Sequence, residues 1–200
     1  MRYFYKNIAL DVPKTVYCPR EDSELMASVI EGLNLQGKRC LDMGCGCGLL
    51  SLIMAQSGAD VVAADLNPLA VEAAKANAEM IGVRLHAKQS DLFSDVKGSF
   101  DLIVFNAPYL PEDESQKSGE KGVRVEELAW NGGQGGREVI SRFARDAPTH
   151  LEKDGTILLE ISSLTGENEV QKIFEGLSLR ADVISREKIP WEELIILRIR

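Results

Sequence analysis

Two hydrophobic periods alternate along the 200-residue chain. Short aliphatic and β-branched runs stand at Arg39–Met43, Asp60–Ala64, Val83–Ala87, Phe100–Phe105, Thr156–Ile161 and Leu194–Ile199, each of strand length. Between them, apolar residues recur at helical spacing. Pro68–Ile81 is the clearest stretch, with Asn67 as N-cap, Pro68 at the first helical position and Glu72 and Lys75 on the outer face. A second stripe begins near Gly136 and runs through Val139, Ile140, Phe143, Ala147 and Leu151, with Pro148 predicting an end or a kink. Strands alternating with helices predict an α/β fold: a mostly parallel sheet with helices on both faces. The last two strands, near Leu179–Arg186 and Glu193–Arg200, have no helix between them and predict an antiparallel pair at one side of the sheet.

No repeat or linker interrupts this pattern, so residues 1–200 read as one domain: an extension and first helix over 1–38, then a core over 39–200. The exception to compactness is Leu110–Asn131, polar, charged and aperiodic, directly after the fourth strand; a loop of that length is usually functional or disordered. Lys+Arg 23 against Asp+Glu 31 leaves a charge of -8, which argues against gripping nucleic acid by phosphate neutralisation. No apolar run approaches the roughly 20 residues of a membrane span. The start, MRYFYKNIAL, lacks the apolar core of a signal peptide. A cytoplasmic protein with no membrane partner is expected.

Candidate chemistry gathers at strand ends. The first strand runs into Asp42-Met43-Gly44-Cys45-Gly46-Cys47-Gly48, and a helix over Leu49–Gln56 follows. The glycine spacing fails the dinucleotide fingerprint, and no Gly-Lys-Ser/Thr follows to make a P-loop. The second strand ends at Asp65, about 20 residues after the first glycine, the offset at which an acid meets a ribose diol. The third ends in Ser90-Asp91-Leu92-Phe93, where Asp91 would accept from an adenine amino group and Leu92 would cover a ring. Each Asp alone reads as a loop acid or helix cap. Three at the carboxyl ends of successive parallel strands favour a nucleoside cofactor. Cys45 and Cys47, spaced C-x-C without a nearby His, do not suit zinc, and no metal is expected.

The D-x-G-x-G-x-G of residues 42–48 resembles the cofactor loop of Rossmann-like S-adenosylmethionine methyltransferases. Asn106-Ala107-Pro108-Tyr109, ending the fourth strand, resembles the N-P-P-Y motif of those acting on planar conjugated nitrogens. Val16-Tyr17-Cys18-Pro19-Arg20-Glu21-Asp22-Ser23 is similar to the V-Y-x-P-x-E-D-S/T stretch of HemK/PrmC-like glutamine methyltransferases, and Trp130–Glu138 to their W-x-G-G-x-x-G-R-E segment. The match is closest to the archaeal–eukaryotic branch, which lacks an N-terminal helical domain.

The resemblance implies a class I fold, seven strands in a mostly parallel sheet with an antiparallel last strand. It implies S-adenosyl-L-methionine as cofactor, leaving S-adenosyl-L-homocysteine, held by Ser23, Asp42, Gly44, Gly46, Gly48, Asp65, Asp91, Leu92 and Asn106. Asp42 would help hold its ammonium directly or through water. Asn106, Ala107, Pro108 and Tyr109 would be catalytic: the Asn106 side-chain oxygen and the Ala107 carbonyl accept both amide hydrogens, and Tyr109 packs on the flat group. Ala107 replaces the motif's first Pro, which keeps the carbonyl and loses the fixed φ. Glu21 and Asp22 read either as substrate neighbours or as helix N-terminal acids. The implied substrate is the amide nitrogen (N5) of the Gly-Gly-Gln glutamine of class-I release factors. The implied partner is a small zinc-binding activator on a sheet edge, which in the family's strand order is the third strand, Val83–Gln89. The alternative is an N6-adenine or rRNA guanine-N2 methyltransferase using the same tetrapeptide.

Overall fold

The computed structural model describes residues 1–109 and 132–200, so the segment 110–131 singled out above lies outside the described residues. A hairpin of β1 (Arg2–Tyr5) and β2 (Ile8–Asp11) opens the chain, followed by α1 (Glu21–Glu31). The core then runs β3 (Arg39–Met43), α2 (Leu49–Gln56), β4 (Asp60–Asp65), α3 (Pro68–Ile81), β5 (His86–Gln89) and β6 (Phe100–Asn106). After the undescribed segment come α4 (Glu138–Asp146), β7 (Leu151–Ser162), α5 (Glu167–Glu175), β8 (Ala181–Ile189) and β9 (Glu192–Ile199).

The main sheet has seven strands in the order β5-β4-β3-β6-β7-β9-β8. All neighbours pair in parallel except β9, antiparallel to both β7 and β8. This is the architecture expected from the sequence. Strand order reverses between β3 and β6, and open α/β sheets bind ligands beyond the carboxyl ends of the strands at such a switch point.

Alternating residues of the inner strands feed two cores, because successive side chains point to opposite faces. Leu102, Val104 and Leu158 pack with Met26 and Ile30 of α1 and Leu52 of α2. Ile103, Phe105 and Leu159 pack with Phe143 of α4 and Phe174 of α5. The Phe105 and Phe143 rings lie 4.7 Å apart.

Two details differ from the sequence pattern, and the end of α4 before Pro148 follows it. The β1–β2 hairpin was not among the expected strands; buried Asn77 of α3 ties it down, accepting from Asp11 N at 2.9 Å and donating to Asp11 O at 3.1 Å and Cys47 O at 2.9 Å. Strand β5 starts at His86 rather than Val83, because Gly82 ends α3 at φ 73 and Val83 N–H turns back to Ala78 O at 3.0 Å, a left-handed helix stop. Helix α4 ends before Pro148, a 3-10 turn covers Ala147–His150, and β7 follows at once from Leu151.

Candidate active site

A cavity of about 820 Å³ opens at the carboxyl ends of β3, β4 and β6. Ser23, Gly44, Gly46, Asp65, Asp91, Leu92, Asn106, Ala107, Pro108 and Tyr109 all line it. Of the residues singled out in the sequence as binding or catalytic, Asp42 and Gly48 alone do not. Asp42 is 1% exposed and takes the Ser51 hydroxyl of α2 at 2.5 Å; burial pushes its pKa up to about 7. It therefore stands behind the loop and is not among the residues lining the cavity. Gly48 caps α2 at φ 94, and a Cβ there would lie 3.0 Å from Ala74 Cβ of α3. Its lack of a side chain serves helix packing.

The glycine loop is held by the next strand. Gly44 N and Cys45 N both donate to Ala64 O, at 2.7 and 3.1 Å. Asp65 Oδ2 accepts from Gly46 N at 2.9 Å, and its Oδ1 accepts from Asn67 N at 2.8 Å. A carboxylate offers about four lone-pair sites, so each oxygen keeps capacity for a hydroxyl donor. Burial raises the Asp65 pKa, and its two backbone donors partly offset the rise.

Beyond β5, Leu92 sits at φ 49, with its carbonyl bound by Ser90 Oγ at 2.6 Å. Asp91 Oδ2 pairs with Arg142 Nη2 of α4 at 2.7 Å, both side chains about half exposed. An ion pair so exposed is worth at most about 1 kcal/mol, too little to hold Asp91 away from a ligand.

At the end of β6, Asn106 Nδ2 donates to Asp22 Oδ2 at 3.1 Å. The same oxygen accepts from Tyr17 OH at 2.9 Å, and Asp22 Oδ1 accepts from Ser23 N at 2.6 Å. A carboxylate oxygen accepts, so Asp22 fixes the orientation of the Asn106 amide and turns its Oδ1 away, an acceptor with no partner among the described residues. Tyr17 and Tyr109 are held neutral, their pKa values raised first by burial and next by the Asp22 charge. The segment after the undescribed residues abuts this corner: a Cβ on Gly132 would fall 2.5 Å from the Pro108 carbonyl oxygen. Only a glycine permits that approach.

Sequence reasoning missed Tyr17 and Arg142, whose roles arise from tertiary contacts. It also missed Glu160, the one charged residue in its strand run. Glu160 pairs in register with Asn106 and is fully buried, and neither carboxyl oxygen has a hydrogen-bond partner. Burial, then the nearby Asp22 and Glu187 charges, push its pKa well above the usual range. All four cysteines are free thiols. Among the described residues, no cluster of three or more His, Cys, Asp or Glu side chains could hold a metal ion.

A glycine loop after β3, the first strand in sequence of this seven-stranded sheet, is the architecture of class I methyltransferases. Residues 16–121 match the methyltransferase small domain family. The chain is 38% identical over 193 residues to a putative protein N5-glutamine methyltransferase of Methanocaldococcus jannaschii, covering 96% of this chain and 95% of that one. It is 31% identical over 186 residues to mouse methyltransferase HEMK2, covering 88% and 84%. Among solved structures, the Mtq2–Trm112 complex of E. cuniculi, responsible for methylation of the eRF1 translation termination factor, matches with a TM-score of 0.72 at 25% identity, covering 93% of this chain and 98% of that one. The chain belongs to the methyltransferase small domain family and, within it, to the protein-glutamine methyltransferases.

Proposed function

We propose that the protein methylates the side-chain amide nitrogen of a protein glutamine, that of the Gly-Gly-Gln motif in a class-I release factor, using S-adenosyl-L-methionine. The observation that carries this reading is the Asp22–Asn106 hydrogen bond beside the glycine loop. An amide nitrogen is a poor nucleophile because its lone pair is delocalised. Asn106 Oδ1 and the Ala107 carbonyl are the acceptors for its two hydrogens, and holding both orients the lone pair before reaction. Such positioning contributes several kcal/mol to lowering a barrier.

The residues present suit the cofactor. The cavity volume lies within the usual range for small-molecule sites, Asp65 is a buried acceptor for a ribose diol, and a Cβ at Gly46 would meet nothing within 4 Å, which leaves room at the loop. Asp22, Asp65 and Asp91 give the walls an acidic character that favours a cationic ligand. When bound, the cofactor supplies an electrophilic methyl on a sulfonium. Tyr109 packs against the flat amide. The methylated product loses its extra proton to water, so a neutral Tyr109 need not act as base.

The small zinc-binding activator fits the same reading. The likeness to the Mtq2–Trm112 complex supports it, as does the place of β5 at the edge of the sheet among the described residues. Among the described residues no helix is long and apolar enough to cross a membrane, and a release-factor substrate would place the protein in the cytoplasm.

The test is methyl transfer from labelled cofactor to a class-I release factor and to its Gly-Gly-Ala variant, with and without the small partner. Label on the first only supports the proposal. Label on a DNA or RNA oligonucleotide instead, with none on release factor, overturns it.

A further inference from the structure

Trp191 is 97% exposed, more than any other large apolar side chain among the described residues. It occupies the tight turn between Ile189 of β8 and Glu192 of β9 at φ 77. A bulky residue in that left-handed region is strained, and retained strain of this kind gathers at functional sites. The turn belongs to the catalytic rim, since Ile189, Glu192 and Leu194 line the cavity.

The rim is also stiff. Ser162 Oγ donates to Glu192 Oε2, Ser163 N donates to Glu193 O at 2.8 Å, and Glu193 N donates to Ser163 Oγ at 3.0 Å. These bonds stitch the hairpin to the turn after β7, where Leu164 is 51% exposed. Two solvated apolar side chains thus stand on two turns fastened together beside the cavity.

Their side of the sheet matters. The glycine loop, Asp65 and Asp91 follow β3, β4 and β5, on one side of Asn106. Trp191 and Leu164 follow β8 and β7, on the other. We propose that Trp191 and Leu164 form the docking contact for the polypeptide that flanks the substrate glutamine, an apolar segment of the substrate protein laid across this rim. The inference rests on the glutamine reading above: a side chain entering the cavity to Asn106 must bring its own backbone past the mouth. A rigid exposed Trp is the kind of anchor that dominates protein interfaces.

The experiment is steady-state methylation of intact release factor by wild type, Trp191→Gly, Trp191→Phe and Leu164→Ser, with any small partner that wild type requires. Trp191→Gly retains the left-handed turn, and thermal melting checks its fold. Phe4→Ser removes a 66% exposed aromatic on β1 and serves as the control. Trp191→Gly is expected to raise KM for release factor about tenfold or more, with kcat at saturation and cofactor affinity by calorimetry held within about twofold. Trp191→Phe should recover part of the loss, Leu164→Ser should repeat it more weakly, and Phe4→Ser should behave as wild type. An unchanged KM in Trp191→Gly overturns the docking assignment and leaves the glutamine reading intact. No labelling of release factor by wild type overturns both.

Discussion

Asn106 and Asp22 meet through a 3.1 Å hydrogen bond across 84 residues of sequence. The amide of Asn106 is thereby turned one way, nitrogen to the carboxylate and oxygen away from it. Removing Asn106 by alanine substitution should lower single-turnover methylation by about 10²- to 10³-fold, the usual loss for one preorganised polar contact. Asp22→Ala leaves the acceptor in place but lets it rotate, so a smaller fall of about 10- to 100-fold is expected. Calorimetry should find cofactor affinity in Asn106→Ala reduced far less than methylation is. Full activity in Asp22→Ala would show that the amide needs no external restraint.

Gly132 offers a probe of the same corner from behind. Its Cβ position lies 2.5 Å from the Pro108 carbonyl oxygen, so Gly132→Ala must displace the tetrapeptide or its own segment. We expect kcat to fall at least tenfold while the melting temperature changes by only a few degrees. Equal activity in the two proteins would place the tetrapeptide's rigidity elsewhere.

Gly48 tests packing instead of chemistry. Gly48→Ala combines φ 94 with a contact of 3.0 Å to Ala74 Cβ and should destabilise by about 1–3 kcal/mol. Ala74→Gly in the same chain should return only the part of the steric cost owed to the Ala74 Cβ, since Ala74 Cα at 3.1 Å remains, and this partial return is a positive coupling in a double-mutant cycle by urea denaturation. Strict additivity of the two substitutions would contradict the close approach of α2 and α3.

Asp42 gives a pH signature. Its pKa is raised from the model-compound value of 3.8 to about 7 by burial. Between those values the folded protein holds a proton that the unfolded chain has released, so stability falls as pH rises from 4 to 7 and is level above. Asp42→Asn keeps an acceptor for Ser51 and removes the titration. The unfolding free energy of the variant, relative to wild type, should climb across that window by on the order of a few kcal/mol, read from melting curves at each pH. Parallel melting curves from pH 4 to 8 would mean that Asp42 ionises freely.

The sheet was readable because interior parallel strands are apolar on both faces and helices intervene at regular intervals. Asn67 behaves as its position predicts, accepting from Leu69 N at 3.0 Å. The N-terminal hairpin was less visible: Tyr3/Tyr5 and Ile8/Leu10 alternate, but the turn between them uses Lys6 at φ 50, not the glycine that advertises such turns. In the site, strand ends located most lining residues. Sequence could not tell that Asp42, one pleat back from the loop, faces α2, nor that Asp22 of the first helix grips Asn106. Both facts depend on how α1 and α2 pack on the sheet, which local spacing does not encode. Glu160 is the harder case, since an acid within an aliphatic run reads equally as a residue on a wet face.

The cavity's walls are drawn from Val16, the ends of β3, β4 and β6, and Leu194 of the last strand. No contiguous stretch of chain owns a complete wall. Affinity for anything that fills the cavity therefore exists only in the finished fold, and occupancy is coupled to the whole cooperative unit. Each tenfold excess of ligand over its dissociation constant adds about 1.4 kcal/mol to the unfolding free energy, and it adds it everywhere at once. Hydrogen exchange with ligand present should then slow by the same factor at every amide whose exchange requires global opening, those remote from the cavity included.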